Sequence, residues 1–138
     1  MNRATDFYFF NILLIALTTA VFSTGCASTS PTDAKTSNKW RIEFSENANS
    51  DGVIVFRVTP LDGQSIDVSA YISDGTRENS VASHVRDAFK AQLPDGAYHI
   101  EKDDGEDVLV KHRGDTPNFS LELISSSVKS VRIDIERE

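Results

Sequence analysis

Cysteine occurs once in the 138 residues, tryptophan once, and proline only four times. A single cysteine excludes an internal disulfide in any redox compartment. The chain has no glycine-rich phosphate loop, no His-Glu-x-x-His helix motif and no pattern resembling a nucleophile elbow, so catalysis finds no support and no cofactor is implied. Basic residues are also in deficit. From Trp40 onward there are 19 acidic and 11 basic side chains, a formal charge of −8. Such a domain repels phosphate backbones, which argues against nucleic acid as a partner. Long apolar runs are missing too. The longest, Phe7–Phe22, has sixteen residues and is broken by Asn11 and the Thr18–Thr19 pair. Spanning a bilayer takes about 20 apolar residues, so this run fits the apolar region of a cleaved signal peptide better than a permanent transmembrane helix.

What is present begins with the placement of that one cysteine. Arg3 and the amino terminus give a weakly positive start, the apolar run follows, and then come Ser23-Thr24-Gly25-Cys26. This stretch resembles the lipobox of bacterial lipoprotein precursors, with Thr24 and Gly25 at the two positions before cleavage. Ser23 stands where that family prefers Leu. The resemblance covers only the leader. It implies a signal peptide over residues 1–25, a diacylglyceryl group on the Cys26 sulfur, and palmitate-type acyl chains that make the membrane a partner through Cys26. Ala27 rather than Asp after the cysteine implies the outer membrane, if the cell has two. One acyl chain holds a protein to a membrane only marginally, whereas two or three make a lasting anchor. Cleavage elsewhere would instead give a secreted, unanchored module. Ala27–Lys39 is small, polar and proline-containing, with no apolar periodicity. Residues 26–39 therefore read as a lipidated cysteine and a flexible tether.

Residues 40–138 read as one small domain. KWRIEFS alternates, with Trp40, Ile42 and Phe44 on one side. VIVFRVT is a continuous apolar run, expected at the centre of a sheet with both faces covered. QSIDVSAYI alternates again, placing Ile66, Val68, Ala70 and Ile72 inward. Between Arg77 and Gly96 the period changes: Val81, Val85, Ala88 and Phe89 share one helix face. The spacing predicts a helix over about 79–93, capped by Thr76 or Asn79 and stopped by Pro94 and Gly96. AYHIEK, DVLVKHR, FSLELI (Phe119, Leu121 and Leu123 inward) and VKSVRIDIERE follow as strands. The expected fold class is α+β, a mostly antiparallel sheet of about seven short strands with one packed helix.

Asp104-Gly105 suggests a two-residue hairpin loop. That register pairs Asp103 with Glu106 and His99 with Val110. It puts Tyr98, Ile100 and Leu109 on the core face, and His99, Glu101 and His112 together on the other. Two histidines and a glutamate are candidate ligands for a divalent metal, although two solvated histidines on a polar face account for the same letters. Asp103, Asp104, Glu106 and Asp107 form an acidic cluster without the spacing of a calcium loop. The expectation is a lipid-anchored cell-envelope protein whose domain, without catalysis or cofactor, binds an unidentified envelope protein or serves a structural role. The rivals are the unanchored module and a small metal-binding protein or enzyme using His99, Glu101 and His112.

Overall fold

The computed structural model describes residues 35–138. Residues 1–34, which include the stretch read as a signal peptide, Cys26 and most of the stretch read as a tether, lie outside that range. The described residues form seven strands and one helix. In order these are β1 (Lys39–Ser45), β2 (Gly52–Pro60), β3 (Ile66–Ile72), α1 (Glu78–Gln92), β4 (Tyr98–Asp103), β5 (Asp107–His112), β6 (Phe119–Ser126) and β7 (Arg132–Arg137). The class is α+β. The strands make two antiparallel sheets rather than one, in the orders β4-β5-β1-β7 and β3-β2-β6.

Alternation decides which face of each strand is buried. Trp40, Ile42 and Phe44 of β1, Ile54, Phe56 and Val58 of β2, and Val68, Ala70 and Ile72 of β3 all lie in one core. The helix adds Val81, Ala82, Val85 and Phe89. It packs on β3 of one sheet and on β1, β4 and β5 of the other. Three aromatic rings record this joint. Phe56 meets Phe44 edge-on with centroids 6.5 Å apart, and meets Phe89 of the helix at 5.4 Å.

The sheets also share backbone. Ser37 and Phe119 exchange N–H···O bonds of 2.9 and 3.0 Å, and the Trp40 indole donates to the same Phe119 carbonyl at 2.8 Å. Among the described residues, paired structure therefore starts at Ser37, within the stretch read as tether.

Local expectations for β2, β6 and the helix cap need correction. β2 is central, but only its inner face is fully covered; Val53 is 37% exposed beside the 61% exposed Tyr71. A run of β-branched residues favours a strand whether or not a second layer covers it. In β6, Phe119 and Leu121 are buried, but Leu123 is 39% exposed. The register slips there, between Val55 and Phe56 of β2, and the bulge takes the strand off the core. At the helix start, Arg77 occupies the N-cap position with no side-chain cap. Thr76 Oγ1 donates instead to the Ser73 carbonyl at 2.7 Å, closing the preceding turn, while Asn79 already lies inside the first turn. The helix stop is as expected. Leu93 is extended (φ −85°, ψ 155°) because the ring of Pro94 disfavours helical geometry in the residue before it.

Gln92, in the last turn of α1, acts on the edge of β3. Its side-chain oxygen accepts from the Ser69 N–H (3.0 Å), and its amide donates to the Ser69 carbonyl (2.8 Å). The side chain thus pairs with the strand edge as a neighbouring strand would, and blocks edge-to-edge association. Changing Gln92→Ala is expected to cost about 1 kcal/mol and to speed hydrogen exchange at the Ser69 amide, read by NMR. An unchanged exchange rate would refute this role.

Candidate functional site

The β4–β5 hairpin and the end of the helix carry most of the chemistry-bearing residues. The hairpin does not use the two-residue loop. Asp103 pairs with Asp107, and residues 104–106 form a three-residue turn with Asp104 (φ 41°) and Gly105 (φ 80°) both left-handed. The reason lies in the core. This register puts Val108 and Val110 opposite Lys102 and Ile100, and beside Ile42 and Trp40 of β1. Both valines are fully or almost fully buried. A one-residue shift would turn them to solvent, forfeiting roughly 1.5–3 kcal/mol each. The preference of a turn dipeptide does not match that.

The shift takes the candidate metal ligands apart. His112 pairs with Tyr98 and so lies on the core-facing side, whereas His99 and Glu101 point to the other face. No group of three metal-ligating side chains comes together among the described residues. His112 has its Nδ1 buried without a hydrogen-bond partner among them. His99 is bound on both nitrogens. Arg113 donates to Nδ1 at 2.8 Å, and Nε2 lies 3.0 Å from Glu101 Oε2. A guanidinium only donates, so the imidazole proton sits on Nε2 and is directed at Glu101.

The outer face of the four-stranded sheet is a charge lattice centred on Arg41. The Arg41 guanidinium donates to Glu138 and to Asp107, each at 2.5 Å, with Asp103 at 3.8 Å. Lys39 pairs with Glu138 as well. These carboxylates raise the Arg41 pKa further above its ordinary range, and the hydrogen bonds from Lys39 and Arg41 hold the Glu138 carboxyl below the usual range. Asp107 is the buried member, only 6% exposed. The acidic cluster at the hairpin is therefore partly neutralised from β1, which suits a structural node. On the other sheet, Arg57 makes a two-point pair with Asp67 at 2.7 and 2.8 Å, and lowers the Asp67 pKa.

Between the end of the helix, the Pro94–Gly96 turn and the start of β4 lies a cleft of about 310 Å³. That is at the lower end of the range for small-molecule sites. Phe89, Leu93 and Ile100 supply an apolar floor, and the polar His99 with the charged Lys90, Asp95 and Arg113 forms the rim. Tyr98 also lines it; the residue is 8% exposed, and its ring packs edge-on against Phe119 at 5.1 Å. Of these residues sequence reading marked only His99 as a candidate site residue, and for a different partner set. Pro94 marks where the helix must turn, but no local pattern links it to Arg113. The sequence matches no protein-family model and has no significant similarity to a curated protein.

Two outcomes follow. Changing His112→Leu removes the orphaned ring nitrogen from a buried position, so thermal stability is expected to hold or rise, and chelator is expected to change neither protein's melting temperature. A chelator-dependent loss would restore the metal reading. For pH, the Glu138 carboxyl has its folded pKa below its unfolded one, so its contribution is present above the ordinary carboxylate range and disappears as pH falls through the folded value. In thermal melts across pH, Glu138→Gln is expected to be less stable than wild type at neutral pH. The gap should close progressively below about pH 4.5. A gap independent of pH would exclude this linkage.

Proposed function

We propose that the chain is a bacterial lipoprotein: an envelope domain held to the membrane by lipid on Cys26, which works by binding rather than catalysis. The observation that carries this reading is the order of the segments. An apolar run, Thr24-Gly25-Cys26 and a polar stretch precede a domain whose pairing, among the described residues, begins at Ser37. Ten residues, 27–36, lie in sequence between the candidate anchor and that first described pairing. The residues that follow Cys26 are small and polar and carry no apolar periodicity. Multiple acyl chains on one residue would supply the attachment that the sixteen-residue apolar run is too short to give by spanning.

The domain's net negative charge bears on what it meets. It is repelled by anionic head groups, so the membrane itself is a poor docking surface for it, and a protein partner is expected to present neutral or basic surface. Binding is favoured over catalysis because His99, the candidate general base at the cleft, has neither ring nitrogen free. The His99 ring is occupied on both nitrogens, by Arg113 and by Glu101.

The decisive measurement is the intact mass of the amino-terminal peptide from membrane-expressed protein, beside a Cys26→Ser variant. A start at Cys26 with the added mass of two or three acyl chains is expected, with Cys26→Ser left unprocessed. An unmodified thiol with the amino terminus elsewhere would overturn the anchor.

A further inference from the structure

We infer that the cleft at the end of the helix binds a small organic monocarboxylate carrying an apolar group, with Arg113 as the carboxylate anchor. This gives a ligand class to the binding role proposed above, but it concerns the folded domain alone and holds whether or not Cys26 is lipidated.

The anchor is positioned by its neighbours. Arg113 directly follows β5, and its backbone N–H is tied to the Ala97 carbonyl at 2.8 Å. Its guanidinium uses one nitrogen to donate to His99 Nδ1, and His99 is steadied from the far side by Glu101. Its other donors have no acidic partner within 4 Å among the described residues. The contrast with Arg41 and Arg57 is direct, since their guanidinium groups are taken up by carboxylates of the protein. A guanidinium held in place with a free fork suits a planar carboxylate.

A second group is also unused. Tyr98 is more than nine-tenths buried, yet its hydroxyl is paired with no described residue and is not sealed from water. Burial raises its pKa, so it stays a proton donor throughout the physiological range. With solvent access and no protein partner, the hydroxyl is free to donate to an acceptor in the cleft.

Charge and shape narrow the ligand. Among the lining residues Lys90 and Arg113 stand against Asp95 alone, leaving one cation in surplus. That surplus matches a single negative charge placed at the fork and falls short of a dianion such as phosphate. The apolar floor of Phe89, Leu93 and Ile100 takes an aliphatic or aromatic body.

The test is calorimetric and NMR titration of the full chain in nonionic detergent with N-acetyl-phenylalaninate, and with its uncharged amide as the matched control. The acid is expected to bind at least ten times more tightly than the amide and to shift the amide resonances of Leu93, Tyr98 and Arg113. Arg113→Gln should weaken acid binding about tenfold or more while leaving the amide unaffected, and Tyr98→Phe should weaken it several-fold. Lys129→Gln removes an exposed cation outside the cleft and should leave binding unchanged. Equal binding of acid and amide, no saturable binding into the millimolar range, or equal losses for Arg113→Gln and Lys129→Gln would each overturn the inference. Because Arg113 is exposed, an unchanged melting temperature of Arg113→Gln separates lost binding from lost folding. None of these readouts depends on the amino-terminal mass, so the anchor and the cleft fail or stand separately.

Discussion

The packing of Phe56 is the contact on which the fold turns. It sits fully buried on the middle strand of the smaller sheet, with Phe44 of the larger sheet on one side and Phe89 of the helix on another. Neither sheet can bury its apolar face alone, and the helix touches both. One ring thus joins three layers that are far apart in sequence. Edge-on and tilted aromatic contacts of this kind add to area burial, and they have a preferred geometry, so they select an orientation as well as a compact state.

That joint sets the rest in order. With β1 facing β2 through Phe44, the hydrogen-bonded bridge between Ser37 and Phe119 closes the end of the core, and the Trp40 indole secures it. With the helix seated by Phe89, its last turn places Gln92 on the free edge of β3 and Leu93 over the cleft. The cleft exists because Pro94 ends the helix abruptly and the chain must return to start β4. Its charged rim comes from the turn, from β4 and from the residue after β5, so it has no counterpart in a contiguous motif.

Charge is distributed with comparable economy. A domain carrying −8 would suffer self-repulsion if its carboxylates clustered unpaired. Arg41 and Lys39 gather Asp107 and Glu138, and Arg57 takes Asp67. These pairs are mostly exposed and are worth little individually. Their consequence is local: they take up Arg41 and Arg57, whereas Arg113 keeps spare donors and differs from the other unpaired arginines among the described residues in being held by His99 at the lip of a cleft.

The parts that can be read from letters alone are those where one face of an element is buried. Period-two alternation located β1 and β3 with their inward residues, and the i, i+4, i+7 spacing located the helix to within a residue at each end. Pro94 told where it stops. The net charge and the single cysteine bound what kinds of partner and anchor are worth considering. Other features depended on which strands meet. The Asp-Gly dipeptide pointed to a two-residue loop, but burying Val108 and Val110 against β1 outweighed it, and that one-residue shift separated His112 from His99 and Glu101. The exposure of Leu123 followed from a bulge against β2, and Arg113 reached His99 through a cross-strand neighbourhood 14 residues wide. Local sequence carries the periodicity of an element. Register, layer order and the grouping of distant polar side chains are settled only when the core chooses which apolar residues to cover, because that burial outweighs any single turn preference.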